Sequence, residues 1–312
     1  MDPISHGMVG LAIASATGEP ITGAVSIGAA LGAMSPDLDI VMQLKGHLSY
    51  LKHHRGISHS IPFLAGISLI ISGILSWIFP DTPFGQILLW TFMGALSHSL
   101  LDILNSYGAQ LFWPFSKKRF SGSLLLSYDP MIIILSLYLL LSGEAKGTIV
   151  LKAGLVFIVY LCIRMVLRHN IYDRMIQRFG KDIHIENVRL LPCLTRFHKL
   201  HFIIEAKEKF IVGEANILTK ELIVLKELEK RKIPSFEGII QSEVGVFFNN
   251  FTPMYHMDVR DEGDHYYVIF TDLRFIYKNE FVYHATAKIS KDLRTIEGTF
   301  HPYSFNQQVA IV

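Results

Sequence analysis

The stretch IPFLAGISLIISGILSWIF, residues 61–79, contains no charged side chain. A helix of about 19 residues rises about 28 Å, enough to cross a hydrocarbon core of about 30 Å. Pro80-Asp81-Thr82-Pro83 closes it with a tight turn, and a second apolar segment runs from Phe84 to about Leu104. Farther out, Thr148–Leu167 is a third, with Lys152 and Arg164 near its ends, where they can snorkel. Met131–Leu141 is apolar but short, and reads as a further spanning helix. The opening pair, Met8–Thr17 and Ile21–Met34, is short and rich in Gly, Ala and Ser, residues that let membrane helices pack closely. A re-entrant hairpin, or a pair of buried helices, is the other reading of that pair.

Composition agrees with a lipid environment. Half of the 312 residues are hydrophobic, 18% are charged and the mean hydropathy is +0.35. Soluble domains carry nearer a quarter charged residues. No basic block is dense enough for nucleic acid. Cys162 and Cys193 lie far apart and match no metal or redox spacing. Lys45, Lys52 and Arg55, then Lys117, Lys118 and Arg119, then Arg168, Arg174, Arg178 and Lys181 fall in alternate connections. The intervening connections hold Glu19, Asp81, Glu144 and Lys146. By the positive-inside rule, six spans with both termini in the cytoplasm satisfy this pattern.

After about Lys181 charges become frequent and long apolar runs stop. Leu200–Glu205, Gly245–Phe248, Tyr266–Thr271, Leu273–Tyr277 and Phe281–Ile289 have the composition of strands. Ile217–Arg231 alternates Leu and charge at helical spacing. The expected architecture is an α-helical integral membrane domain of about six short and long membrane helices, residues 1–180. A small β-rich soluble domain, residues 181–312, follows in the cytoplasm.

The polar residues of the first part are not scattered. On the six-span topology, His6, Asp37, Asp39, His54, His59, His98, Asp102 and Asp129 all fall at the cytoplasmic ends of segments. His98 and Asp102, four apart, share one helix face. Asp37 and Asp39 flank Leu38 after Pro36 and can turn inward or bridge two ions. Ionisable groups at membrane depth are costly and usually functional or paired. Imidazole with carboxylate suits a divalent ion, Zn²⁺ before Mn²⁺ or Fe²⁺, and suits Ca²⁺ less. Blander readings exist: His6 as an interfacial residue, either aspartate as a helix cap, Arg55 as a lipid-phosphate contact, and Asn105 as a cap or a hydrogen-bonding support. His53 reads as a solvent-facing spare. The later histidines, His201, His284 and His301 among them, show no ligand spacing.

The ordered set Asp2-Pro3-Ile4-Ser5-His6, Ser35-Pro36-Asp37-Leu38-Asp39, His54-Arg55-Gly56-Ile57-Ser58-His59-Ser60, Ser97-His98-Ser99-Leu100-Leu101-Asp102 and Asn105–Phe115 resembles the bacterial membrane-bound metal-dependent hydrolases. That family is also described as LexA-binding, inner-membrane-associated hydrolases. The motifs cover about Met1–Ser142, and the resemblance implies an inner-membrane, metal-dependent hydrolase. A weaker similarity in the order of His and Asp residues is to the zinc-dependent phospholipase C and P1-type nuclease group, and it leans toward phosphoester chemistry.

The expected function is hydrolysis of a lipid-linked phosphoester or ester at the cytoplasmic face. One or two ions on His6, Asp37, Asp39, His54, His59, His98 and Asp102 would bring the pKa of a bound water toward neutrality. Arg55 would stabilise developing negative charge, and Asp39 or Asp129 would act as general base. The alternative is a membrane regulator or sensor with a structural metal site and a cytoplasmic domain that binds a protein partner.

Overall fold

The computed structural model describes residues 3–38, 56–142, 146–193, 196–230 and 236–311. The chain divides into two units, and the division falls inside one helix, after Val166.

The first unit holds α1 (Pro3–Ser15), α2 (Ala24–Met34), α3 (Ile61–Ile78), α4 (Phe84–Leu104), α5 (Pro130–Leu141) and the first part of α6 (Lys146–Phe179). Three of these, α3, α4 and α6, are long and apolar enough to cross a membrane. Their positions follow the apolar runs that the sequence shows. Of the six expected spans, these three have membrane-crossing length among the described residues, and six are not shown. Helices α1, α2 and α5 have 13, 11 and 12 residues, and such helices rise only about 17–20 Å, short of the bilayer core.

Helix α3 is apolar outside and carries two serines among its buried residues. Leu64, Ser68, Ser72 and Leu75 are its buried residues, while Leu69, Ile70, Ile74, Trp77 and Ile78 stand exposed. That is the reverse of a helix on a water-soluble core and suits a helix facing lipid. Inside the bundle, α2 and α4 approach to backbone contact. A Cβ on Gly94 would collide with the Ala29 carbonyl oxygen, and one on Gly32 with that of Thr91. The glycines set the helix spacing, and the spacing sets where the side chains farther along α4 can reach.

The second unit is mostly antiparallel sheet. Strands β1 (Ile185–Pro192), β2 (Lys199–Ala206), β3 (Lys209–Asn216) and β4 (Leu222–Glu229) form a meander in that order. Ile171 and Met175 from the last turns of α6 join its core with Phe202, Ile204 and Ile211. Two short helices follow, α7 (Phe236–Gln241) and α8 (Glu243–Phe251). Next come β5 (Tyr255–Asp261), β6 (His265–Asp272), β7 (Ile276–Tyr277), β8 (Glu280–Phe281), β9 (Tyr283–Ser290), β10 (Thr295–Pro302) and β11 (Val309–Ala310). A five-stranded sheet has the order β11-β10-β9-β6-β5, and β7 pairs with β8.

Two expectations fail in this unit. Residues 222–229 form strand β4, where the sequence reads as helix. Gly245–Phe248 lies in α8, where the composition reads as strand. Ser242 caps α8 by accepting from the Gly245 amide at 3.2 Å. Val244, Phe247 and Phe248 then bury one helical face, with Phe248 ring-packed on Phe270.

His201 lies buried on β2, and its Nε2–H donates to the Leu273 carbonyl at 3.1 Å. Burial holds its pKa down from 6.5 to about 4, against the upward pull of that carbonyl. The neutral form is therefore the folded form. Its contribution is intact above pH 6.5, declines as the pH falls, and is lost below about 4. The cost is on the order of 3 kcal/mol at the acid end. The protection factors of the β2–β3 amides in the detergent-solubilised chain, with the intrinsic pH dependence of exchange divided out, are expected to fall as the pH drops through that window, and in His201→Gln to change less with pH.

Candidate metal centre

Five His and Asp side chains from four segments of the first unit meet at one place. His6 lies in the first turns of α1, Asp37 in the 3-10 turn over residues 35–38, His59 in the 3-10 turn Ile57–His59, and His98 and Asp102 on α4. Four are 0% exposed and Asp37 is 7% exposed. His59 stands just before α3 begins and Asp102 just before α4 ends. These two helices run antiparallel through the Pro80–Pro83 turn, so the cluster lies at one end of the spans, not at mid-membrane.

The donor atoms are close. His59 Nε2 and His98 Nε2 are 3.1 Å apart. Asp102 Oδ2 lies 3.4 Å from His59 Nε2 and 3.9 Å from His98 Nε2, and Asp102 Oδ1 lies 3.5 Å from His6 Nε2. Asp37 Oδ1 is 3.6 Å from His98 Nε2. Two ligands on a tetrahedral zinc are about 3.3 Å apart, given metal–nitrogen bonds of about 2.0–2.1 Å. Two donor sets, His6/Asp37/His98 and His59/His98/Asp102, each gather within 4.8 Å.

Neighbouring groups aim these side chains. His98 Nδ1–H donates to the Ala33 carbonyl at 2.7 Å, which turns the Nε2 lone pair toward the cluster. Ser58 Oγ lies 2.9 Å from His59 Nδ1, leaving Nε2 on the cluster side. Asn105 Nδ2 donates to Asp102 Oδ1 at 2.8 Å, while its own Oδ1 accepts from the Tyr107 and Gly108 amides. Ser99 Oγ donates to the His59 carbonyl and ties the 3-10 turn to α4. Asn105 thus both ends α4 and supports a carboxylate. The sequence does not mark the roles of Ser58 and the Ala33 carbonyl. Ser58 sits in a motif whose histidines and arginine draw the notice, and a backbone carbonyl leaves no mark in a sequence.

Asp129, expected as a general base, is engaged elsewhere. It caps α5, accepting from the Met131 amide at 3.1 Å, and accepts from the Tyr160 hydroxyl at 2.9 and 3.0 Å. The physical reason is the N-cap position before Pro130, which holds a carboxylate for the helix. Asp39, His53, His54 and Arg55 lie outside the described residues.

An apolar helical bundle that carries a His/Asp cluster at one end of its spans defines a helical membrane protein. Residues 1–171 match the YdjM inner membrane protein family, more than half of the chain, and the chain belongs to that family. All five clustered residues fall within the match. Residues 234–309 match the YfhP C-terminal alpha/beta plait domain. The chain is 29% identical over 322 aligned positions to "Uncharacterized protein YfhP" of Bacillus subtilis (strain 168), covering 99% of this chain and 97% of that protein. No solved structure matches. These relatives support an inner-membrane family. Their names carry no hydrolase activity, so the hydrolase expected from the motifs gains no support from them.

Proposed function

We propose that the cluster is a divalent metal centre and that the protein is a metal-dependent hydrolase acting at the membrane surface on a lipid-linked phosphoester or ester. The observation that carries this reading is the convergence of three imidazoles and two carboxylates at ligand spacing, with His98 and His59 held in ligand orientation. Structural zinc sites are usually built from thiolates, whereas His with carboxylate is the donor set of catalytic zinc. A divalent ion there would supply Lewis acidity to a substrate oxygen and to water. The chain's own residues hold and aim: α4 carries two donors on one face, Ala33 and Ser58 fix ring orientation, and Asn105 fixes Asp102. Net hydrolysis would consume one water. The P–O or acyl C–O bond breaks, hydroxyl stays on phosphorus or the acyl carbon, and the proton leaves with the alcohol.

The burial of all five side chains favours a second reading, a closed structural site in a regulator. One experiment separates the two: metal content and turnover on a panel of phospholipids, for the detergent-solubilised chain and for Asp102→Ala. Stoichiometric Zn, Mn or Fe with turnover, both lost in the variant, supports the hydrolase. Metal without turnover, whose removal unfolds the chain, supports the structural site. No metal after reconstitution overturns both. Asn105→Ala, which leaves every donor in place, is expected to weaken metal affinity by roughly 10–100-fold in a chelator competition.

A further inference from the structure

We infer that the centre is built for two ions bridged by the Asp102 carboxylate, and that its substrate is therefore a phosphoester. This rests on the metal reading above and goes beyond it in number and substrate class.

The number of ions follows from two rings. His6 and His98 are stacked, with centroids 3.6 Å apart and planes inclined by 23°. An ion ligated by an imidazole lies in the ring plane, about 3 Å from the ring centroid. Planes so inclined are still about 2 Å apart at that reach, so no single ion lies in both. His6 and His98 consequently serve different ions. His59 and His98 behave differently: their planes are inclined by 71° and their Nε2 atoms are 3.1 Å apart, an arrangement that one ion can satisfy.

Asp102 faces both positions. Its Oδ2 lies near His59 and His98, at 3.4 and 3.9 Å, and its Oδ1 lies 3.5 Å from His6. One ion would be held by His59, His98 and Oδ2, the other by His6 and Oδ1. Asp37 belongs to the donor group of His6 and lies 3.6 Å from His98, so it can complete either. A carboxylate that offers one oxygen to each ion suits the spacing of about 3.5–4 Å found in two-metal phosphatases and nucleases.

Charge then selects the substrate. Two divalent ions carry four positive charges against the two carboxylates of the described donors, leaving an excess of two. A phosphate ester brings negative charge to such a centre, and a carboxylic ester brings none.

The test uses the full chain in detergent, stripped and reloaded with Mn²⁺. Two Mn²⁺ per chain with an exchange-coupled paramagnetic resonance spectrum are expected. Orthophosphate should perturb that spectrum. His6→Ala should hold one Mn²⁺ with an isolated six-line signal and bind orthophosphate at least tenfold more weakly. The wild-type measurement decides without any variant. One ion with an isolated signal overturns the two-ion assignment and leaves the metal centre standing. Two uncoupled ions overturn the bridge, coupled ions indifferent to orthophosphate overturn the substrate class, and no bound ion overturns both this inference and the reading beneath it.

Discussion

The chain with His98 replaced by alanine is expected to leave the membrane without the ion of the His59/His98/Asp102 set. His98 is a donor of that set and lies 3.6 Å from Asp37, so its loss leaves the set incomplete. It also ends the Nδ1 bond to Ala33, the tie between α4 and the end of α2. Supports around a ligand are worth about 10–100-fold in affinity, and a ligand itself is worth more. The helical circular dichroism of the variant should be close to normal, because α4 keeps its uncharged length and its glycine contacts. His201→Ala is the control: it removes another buried imidazole, from the second unit, and should leave metal content unchanged. If His98→Ala keeps its metal, the centre is not where the geometry places it.

Gly94→Ala is expected to destabilise the helical unit by about 2–3 kcal/mol, the upper range for overpacking, and to weaken metal binding with it. Its new Cβ would meet backbone, the Ala29 carbonyl, which has no rotamer by which to yield. Helices α2 and α4 would have to part, and His98 stands one turn beyond Gly94 on the same face. Gly73→Ala on α3 is the contrast. Nothing lies within 4 Å of a Cβ there, and the added methyl should raise helix stability by up to about 1 kcal/mol. Thermal unfolding in detergent, followed by tryptophan fluorescence, measures both. Equal effects in the two variants would mean that α2 and α4 do not touch.

What the sequence reveals and hides has physical causes. Helices α3 and α4 are legible because an uncharged run of bilayer length is rare outside a membrane span. His98 and Asp102 are legible because spacing on a helix fixes direction. His6 and Asp37 are legible only as types and order, since nothing local states that α1 stacks its imidazole on a ring of α4. Strand β4 is hidden by a register shift against β3 between Val212 and Gly213. Leu222 and Val224 pack toward the core containing Phe202, but Leu228, past the shift, packs toward the one containing Val212. An alternation that changes face midway looks helical. Helix α8 carries a helical period in Val244, Phe247, Phe248 and Phe251, with Ser242 as its cap. Its aromatic content masks both signals.

The four segments that meet at His6, Asp37, His59 and Asp102 are far apart along the chain, and an ion among them would close loops that no disulfide closes here, Cys162 and Cys193 being free. Such an ion is a staple as much as a reagent. A chelator would then act on this protein as a reductant acts on a cross-linked one, lowering its unfolding temperature in proportion to the logarithm of the ion activity withdrawn.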